Sequence, residues 1–158
     1  MALTPEQQFL AAYDQYADAL FRHCYFRVFN KERAEELMQE VFMKTWDYIV
    51  QGKQIQNMRA FLYKVANNLV IDEARKRKEQ SLEVLQEAGF EPHEGTAPHE
   101  QEERIMAVHE VKKYLDCLES DDREVIVMRY IDELPPRDIA EALGVTPDVV
   151  SVRIYRAM

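Results

Sequence analysis

The chemistry that this sequence supports best is hydrogen bonding and ion pairing to a nucleic acid, and the clearest residues for it lie at the end of the chain. If the last residues form a helix, one outward-facing set consists of Asp148, Ser151, Val152, Arg153, Tyr155 and Arg156. Hydroxyl, guanidinium and methyl groups on such a face can reach phosphates and base edges when a helix lies in the major groove of DNA.

A second set of polar residues lies in the middle of the chain. Asn67 and Asn68 precede the run Arg75-Lys76-Arg77-Lys78, which is the densest positive charge in the sequence. Side-chain amides read base edges while cations hold phosphates, so this segment is a further candidate for DNA contact. The alternative is that the four cations only favour the dipole at a helix C-terminus and remain solvated.

The sequence contains no pattern typical of an enzyme site. The four histidines have no spacing that would gather metal ligands on one face, and there is no Gly-rich phosphate loop. The carboxylates are spread along faces predicted to be solvated. We therefore expect no catalysis, no metal and no cofactor.

The elements that position the C-terminal set are two short predicted helices. Pro136 suits the first position of one helix, and Gly144 suits the left-handed residue that ends it. Thr146 can cap the next helix, with Pro147 at its first position. This arrangement predicts a helix-turn-helix, although a helical hairpin that only packs remains an alternative.

Three longer helices are predicted in the N-terminal half. A capping box at Thr4-Pro5-Glu6-Gln7 begins the first, Asn30 can cap the second and Asn57 can cap the third. The second helix has a predicted buried stripe of Ala34, Leu37, Val41, Thr45 and Ile49. It has another apolar row of Met38, Phe42 and Trp46, which is more apolar surface than one core face needs.

Composition and charge suggest two domains. The 158 residues carry a net charge of −9, with 12 Lys/Arg against 11 Asp/Glu in residues 1–80, 1 against 7 in 81–104, and 7 against 11 in 105–158. We expect an all-α protein with helical domains at 1–80 and 105–158 joined by a flexible acidic linker at 81–104. The linker should be the most protease-sensitive part of the chain.

The sequence also bears on the compartment of the protein. It has no signal-peptide pattern and no apolar run long enough to cross a bilayer, so we expect a cytoplasmic protein without membrane insertion. Cys24 and Cys117 are predicted to be reduced, buried thiols in separate helices.

Three segments together resemble one protein family. Residues 35–46 resemble the core-polymerase-binding helix of bacterial sigma factors, and residues 61–77 resemble the helix that melts and reads the minus-ten promoter element. Residues 118–158 resemble the domain that binds the minus-thirty-five element. The short length, with only a linker between the two domains, is similar to the extracytoplasmic-function (ECF) group.

The resemblance implies partners and roles for individual residues. The implied partners are core RNA polymerase, promoter DNA and, as is common in the family, an anti-sigma factor. The residues implied to contact polymerase are Glu36, Leu37, Gln39, Glu40, Phe42 and Met43. Those implied for the minus-ten element are Gln54, Ile55, Lys64, Asn67, Asn68, Asp72, Arg75 and Lys76, with Tyr63 and Phe61 as stacking candidates and Phe61 expected in the core. Those implied for the minus-thirty-five element are Arg137, Asp148, Ser151, Val152, Arg153, Tyr155 and Arg156.

The departures from the family concern the last helix. Related recognition helices often carry Lys and Ser where this chain has Ser151 and Val152, and they usually continue with more basic residues beyond Arg156. This implies either a truncated C-terminus or a weak minus-thirty-five contact. The alternatives to a sigma factor are a stand-alone helix-turn-helix regulator and a helical scaffold without a role on DNA.

Overall fold

The structure, a computed structural model, describes residues 3–80 and 98–158, with side chains described for 3–76 and 102–158. All regular secondary structure in these ranges is helical, as predicted. The elements are α1 (Pro5–Val28), α2 (Lys31–Val50), α3 (Met58–Gln80), α4 (Pro98–Asp116), α5 (Ser120–Ile126), a π-helical turn (Val127–Ile131), α6 (Pro136–Leu143) and α7 (Pro147–Ala157). Most of the predicted linker lies outside the described residues. Its last part is helical, because α4 begins at Pro98 and the linker was predicted to extend to residue 104.

Polar side chains start most of the helices as the sequence predicts. The Thr4 hydroxyl accepts a hydrogen bond from the Gln7 amide, and the Gln7 side chain accepts one from the Thr4 amide. Asn30 and Asn57 begin α2 and α3 by accepting bonds from backbone amides three residues later. Each such cap pairs an amide that would otherwise lack an intrahelical partner. At the start of α5, Glu119 occupies the N-cap position and makes no side-chain capping bond.

The N-terminal half is a three-helix unit around α2. All five residues of the predicted stripe on α2 are buried, and Phe42 is buried with them. The Phe42 ring meets the rings of Tyr13 and Phe9 at angles of 62° and 89°, with centroids 4.9 Å and 6.1 Å apart. The second apolar row of α2 is therefore used mainly to pack α1, since aromatic rings favour such tilted and edge-on contacts.

Two aromatic residues of α3 exchange their expected places. Tyr63 is buried, with its ring edge-on to the His23 ring at a centroid distance of 5.3 Å, so it is not available to stack on a base. Phe61, which was expected in the core, is only half-buried and packs on Tyr48 at 4.8 Å. The sequence prediction was wrong for both residues. The side of α3 that faces the core carries Leu62, Tyr63, Ala66 and Val70.

The C-terminal half contains the predicted helix-turn-helix. Gly144 ends α6 in the left-handed region, at a φ of +69°, and Thr146 caps α7. Val150 is buried between the helices. The Tyr114 hydroxyl donates a 2.8 Å hydrogen bond to the Ala157 carbonyl, which connects α4 to the end of α7.

The two halves pack against each other, and their buried apolar side chains form one continuous cluster. Polar contacts cross the same interface. His23 Nδ1 donates to the Asp132 carboxylate at 2.5 Å, and both side chains are fully buried. Arg59 of α3 also binds Asp138 of α6. The two halves thus form a closed arrangement in which α6 packs against the start of α3.

The two cysteines have different environments. Cys24 is buried in α1, and burial raises the pKa of its thiol to about 12. Cys117 lies just after α4 and is exposed, so the expectation that it is a buried helical thiol is wrong. None of the helices in the described part of the chain combines the length and apolar character needed to cross a bilayer.

Candidate nucleic-acid and protein interfaces

An apolar groove lies between α1 and α2. It has a volume of about 560 Å³, and its walls are Phe9, Leu10, Tyr13, Phe42, Met43 and Trp46, with Glu6 and Gln39 at its polar edge. Leu10, Tyr13 and Met43 are all substantially exposed. An exposed apolar centre with a polar rim is typical of a protein interface. The contribution of α1 to this surface was missed by the sequence interpretation, because Leu10 lies outside the core stripe of its helix.

The structure separates the residues predicted to contact polymerase into two groups. Glu36, Gln39 and Met43 are exposed, and Glu40 is half-buried. Leu37 and Phe42 are buried, with Phe42 only 2% exposed, so their side chains offer almost no surface to a partner. Their direct contact with polymerase stays a prediction, and in this structure α2 buries that side to pack against α1 and α3.

A small polar pocket lies where the loop after α2 meets the start of α3. Its volume is about 180 Å³, and it is lined by Tyr48, Gln54, Ile55, Gln56, Asn57, Ala60, Phe61 and Lys64 together with Glu141 of α6. Three of the residues predicted for the minus-ten element are therefore brought together here. The pocket combines a ring surface, an amide and an ammonium group, which suits stacking and hydrogen bonding to one unpaired base.

The outward side of α3 continues from this pocket. Asn68, Asp72, Arg75 and Lys76 are exposed along it, and Arg75 donates to Asp72 at 3.2 Å. The side chains of Arg77 and Lys78 lie outside the described residues. The exposure of the amide and the cations is compatible with contact to a nucleic-acid strand, which stays a prediction.

Asn67 departs from that prediction. Its side chain is only 4% exposed, and its Oδ1 accepts a 2.7 Å hydrogen bond from Arg27 of α1. Arg27 also lies 3.9 Å from Glu124 of α5. Burial lowers the pKa of Arg27 and raises the pKa of Glu124. The opposite charges partly offset this effect, because Glu124 raises the pKa of Arg27 and Arg27 lowers the pKa of Glu124. Asn67 thus stabilises a buried cation and is not a base-reading amide in this structure.

The side chains that were predicted to face outward on α7 do so. Asp148, Ser151, Val152, Tyr155 and Arg156 are exposed, Arg153 is half-buried, and Arg137 is exposed on α6. Both cations of α7 have carboxylate partners in their own domain. Arg156 donates to both oxygens of Asp122 at 2.6–3.2 Å, and Arg153 lies 3.8 Å from Asp121. These pairs, which the sequence interpretation missed, reduce the charge that α7 presents to DNA.

The side chains that the structure describes contain no cluster of three or more His, Cys, Asp or Glu groups that could hold a metal ion.

Comparison with known families gives an assignment for each half. Residues 12–80 match the family model for sigma-70 region 2, and residues 109–158 match the model for sigma-70, region 4. The chain is a sigma factor. Its two matched segments correspond to the three-helix unit with the polar pocket and to the half that contains the helix-turn-helix.

Similar proteins place the sigma factor in the ECF group. It is 29% identical over 151 residues to the ECF RNA polymerase sigma factor SigW of Bacillus subtilis, covering 90% of this chain and 81% of SigW. It is 26% identical over 152 residues to the ECF RNA polymerase sigma factor SigL of Mycobacterium tuberculosis, covering 94% of this chain and 83% of SigL. The sigma factor therefore directs RNA polymerase in transcription initiation and is not itself an enzyme.

Solved structures share the fold of the sigma factor. CnrH in complex with the cytosolic domain of CnrY has a TM-score of 0.72 at 20% identity, covering 96% of this chain and 83% of that chain. RpoE of Bartonella quintana, in complex with the anti-sigma factor NepR, has a TM-score of 0.70 at 21% identity, covering 95% of this chain and 91% of that chain.

Proposed function

We propose that the polar pocket at the start of α3 holds an unpaired base of the minus-ten element, and that the adjoining face of α3 holds the strand. The observation that carries this proposal is the convergence of Gln54, Lys64 and the Phe61 ring on one small cavity. A flipped base is held at least cost by stacking on an aromatic ring and by hydrogen bonds to its edge. Asn68 and Lys76 would then contact the strand beyond the pocket.

The groove between α1 and α2 is the polymerase surface in this proposal. Gln39, Glu40 and Met43 contact the enzyme directly, and Leu10 and Tyr13 extend the apolar centre of the interface. Leu37 and Phe42 act indirectly by fixing the position of α2. Support comes from the exposure of large apolar side chains on a face that the described chain leaves uncovered.

The reading face of α7, with Arg137, contacts the minus-thirty-five element. Its two arginines are partly neutralised by Asp121 and Asp122, so this contact depends on tethering to polymerase. We place the protein in the cytoplasm, where polymerase and promoters are found. An anti-sigma factor is a further proposed partner, as in the solved complex of RpoE with NepR.

The test is run-off transcription with core polymerase on a genomic template library. Gln54→Ala and Lys64→Ala should reduce initiation from the promoters that wild type selects, while Gln15→Ala, an exposed amide on α1, should not. Met43→Ala should weaken co-purification with core enzyme. Initiation that is unchanged by both pocket substitutions would remove the pocket from promoter recognition.

A further inference from the structure

One cation of α7 is held in a fixed orientation by a carboxylate of α5. Asp122 lies in the first turn of α5, and its side chain is only 8% exposed. It accepts hydrogen bonds from Nε of Arg156 at 3.1 Å and 3.2 Å and from Nη2 at 2.6 Å. Two parallel bonds between an arginine and a carboxylate fix the plane of the guanidinium. Asp122 therefore determines the direction of this cation as well as the charge that it presents.

The neighbouring pair of the same two helices does not have this geometry. Nη2 of Arg153 lies 3.8 Å from Oδ2 of Asp121, which is beyond hydrogen-bond distance, and the Asp121 side chain is 63% exposed. Exposed ion pairs contribute little unless their geometry is close to ideal, as it is in a bidentate arginine–carboxylate pair. Of these two arginines, Arg156 is thus the one whose orientation is determined by the fold.

Arg156 keeps a second pair of donors that Asp122 does not use. A guanidinium has two edges that each carry two parallel N–H groups, and the bonds to Asp122 use the edge formed by Nε and Nη2. The other edge, formed by Nη1 and the remaining N–H of Nη2, takes no part in these bonds. The Arg156 side chain is 55% exposed, so a ligand can reach it. The pair with Asp122 therefore leaves an oriented fork of two donors on the outward side of α7.

A fork of two parallel donors matches one base in the major groove. Guanine presents two acceptors side by side, N7 and O6, whereas adenine and thymine each present one acceptor there and cytosine presents a donor. A mobile arginine can turn to phosphate oxygens, which carry no sequence information. A side chain that is already oriented loses less freedom on binding and cannot follow the phosphates as easily. Orientation by Asp122 thus favours discrimination between bases.

We propose that Asp122 is a positioning residue that determines specificity, because it directs the free fork of Arg156 at one guanine of the minus-thirty-five element. This inference rests on the proposed contact of α7 with that element. Asp122 does not touch DNA. Its charge lowers the affinity of α7 for any duplex, while its hydrogen bonds increase the difference between guanine and the other bases. Loss of the carboxylate therefore changes affinity and specificity in opposite directions.

The experiment compares two full-length variants that lose the same charge from the same half of the chain. Asp122→Asn keeps the shape of the side chain but leaves only one acceptor for Arg156. Asp116→Asn removes a half-exposed carboxylate of α4 that pairs with Lys112. Each variant is assembled with core RNA polymerase and mixed with a promoter that wild type selects, in which the minus-thirty-five element is randomised. The DNA recovered in stable complexes is weighed against the input by sequencing.

Wild type should prefer guanine about tenfold at one position of the element, as expected for one bidentate arginine contact. Asp122→Asn should lower this preference to about threefold or less. Its total recovery of DNA should stay equal to that of wild type or rise, because loss of a carboxylate favours binding to any duplex. Asp116→Asn should keep the full preference. Replacement of the guanine by deazaguanine, which lacks the N7 acceptor, should weaken binding by wild type more than binding by Asp122→Asn.

A double substitution separates positioning from a role in stability alone. Arg156→Lys keeps the cation but has no fork, so adding Asp122→Asn to it should cause no further loss of guanine preference. If Asp122 only packs α7 against α5, Asp122→Asn should instead reduce binding to all sequences alike, and its effect should add to that of Arg156→Lys. That result would overturn the proposal.

Two further outcomes distinguish the positioning role from the proposed function. Unchanged guanine preference in Asp122→Asn, or a wild-type element without a preferred guanine, would overturn the positioning role and leave the contact of α7 with the element intact. Absence of any base preference in the randomised element by wild type would reject the contact itself.

Discussion

Arg27 of α1 donates a 2.7 Å hydrogen bond to the amide oxygen of Asn67, and this bond gives two adjacent asparagines of α3 different roles. Asn67 is buried beside the guanidinium, whereas Asn68 is exposed on the proposed DNA-binding face. The two side chains have the same chemistry, so their substitutions form a matched pair.

Asn67→Ala should destabilise the protein. It leaves a buried cation without its acceptor, which costs about 2–3 kcal/mol. For a chain of this size that corresponds to a melting temperature lower by roughly 4–12 °C. Asn68→Ala should leave the melting temperature within about 2 °C of wild type and should reduce transcription instead. Calorimetry and run-off transcription on both variants distinguish the roles. Similar thermal effects of the two substitutions would contradict this assignment.

Phe42 and Met43 form a second adjacent pair. Phe42→Ala should lower stability by about 3–5 kcal/mol, because it opens a cavity among the rings of Phe9 and Tyr13. Met43 is 68% exposed, so Met43→Ala should change stability by less than about 0.5 kcal/mol while weakening binding to core polymerase. Urea unfolding and pull-down with core enzyme give the two quantities. Strong binding by Met43→Ala would place polymerase on another surface.

The free chain should bind duplex DNA weakly and without sequence preference. Arg153 and Arg156 are nearly the only cations on α7, and both are near carboxylates of their own domain. Two phosphate contacts give a salt slope of only about −2. In complex with core polymerase, tethering should produce promoter selectivity, and Arg153→Ala should reduce it. Anisotropy titrations with and without core enzyme measure this. Nanomolar, sequence-specific binding by the free chain would show that polymerase is not required for recognition.

The two thiols should react at very different rates. Cys117 is exposed and should be modified immediately by a disulfide reagent at pH 8, whereas burial raises the pKa of Cys24 to about 12 and leaves almost no thiolate. Reaction of the native protein with the reagent should therefore release one equivalent of the reagent's thiol product rapidly. A second equivalent should appear only in denaturant. Because the folded pKa is raised, the stability contribution of the protonated Cys24 is complete below about pH 8.5 and declines as pH rises towards 12.

Local signals in the sequence predicted most of the fold. Thr4, Asn30, Asn57, Gly144 and Thr146 begin or end helices where expected, because caps and left-handed residues act through neighbouring backbone atoms. Periodicity likewise predicted the buried stripe of α2.

Residues whose roles depend on distant partners were not predictable in the same way. Asn67 was expected to read bases and is instead fixed by Arg27, 40 positions earlier in the sequence. Helical spacing placed Tyr63 and Phe61 on the correct helix but did not determine which of them faces inward. The sequence gives no local signal that Asp121 and Asp122 pair with the arginines of α7, because only the folding of α7 against α5 brings these groups together.

The interface that joins the halves also has a consequence for synthesis on the ribosome. Asp138 is added 79 residues after its partner Arg59, and Asp132 is added 109 residues after His23. At typical rates of about 5–20 residues per second, the partner of Arg59 emerges roughly 4–16 s later. During that interval the nascent N-terminal half is uncovered, so each newly made molecule passes through a state with its pocket accessible before the carboxylates of α6 reach it.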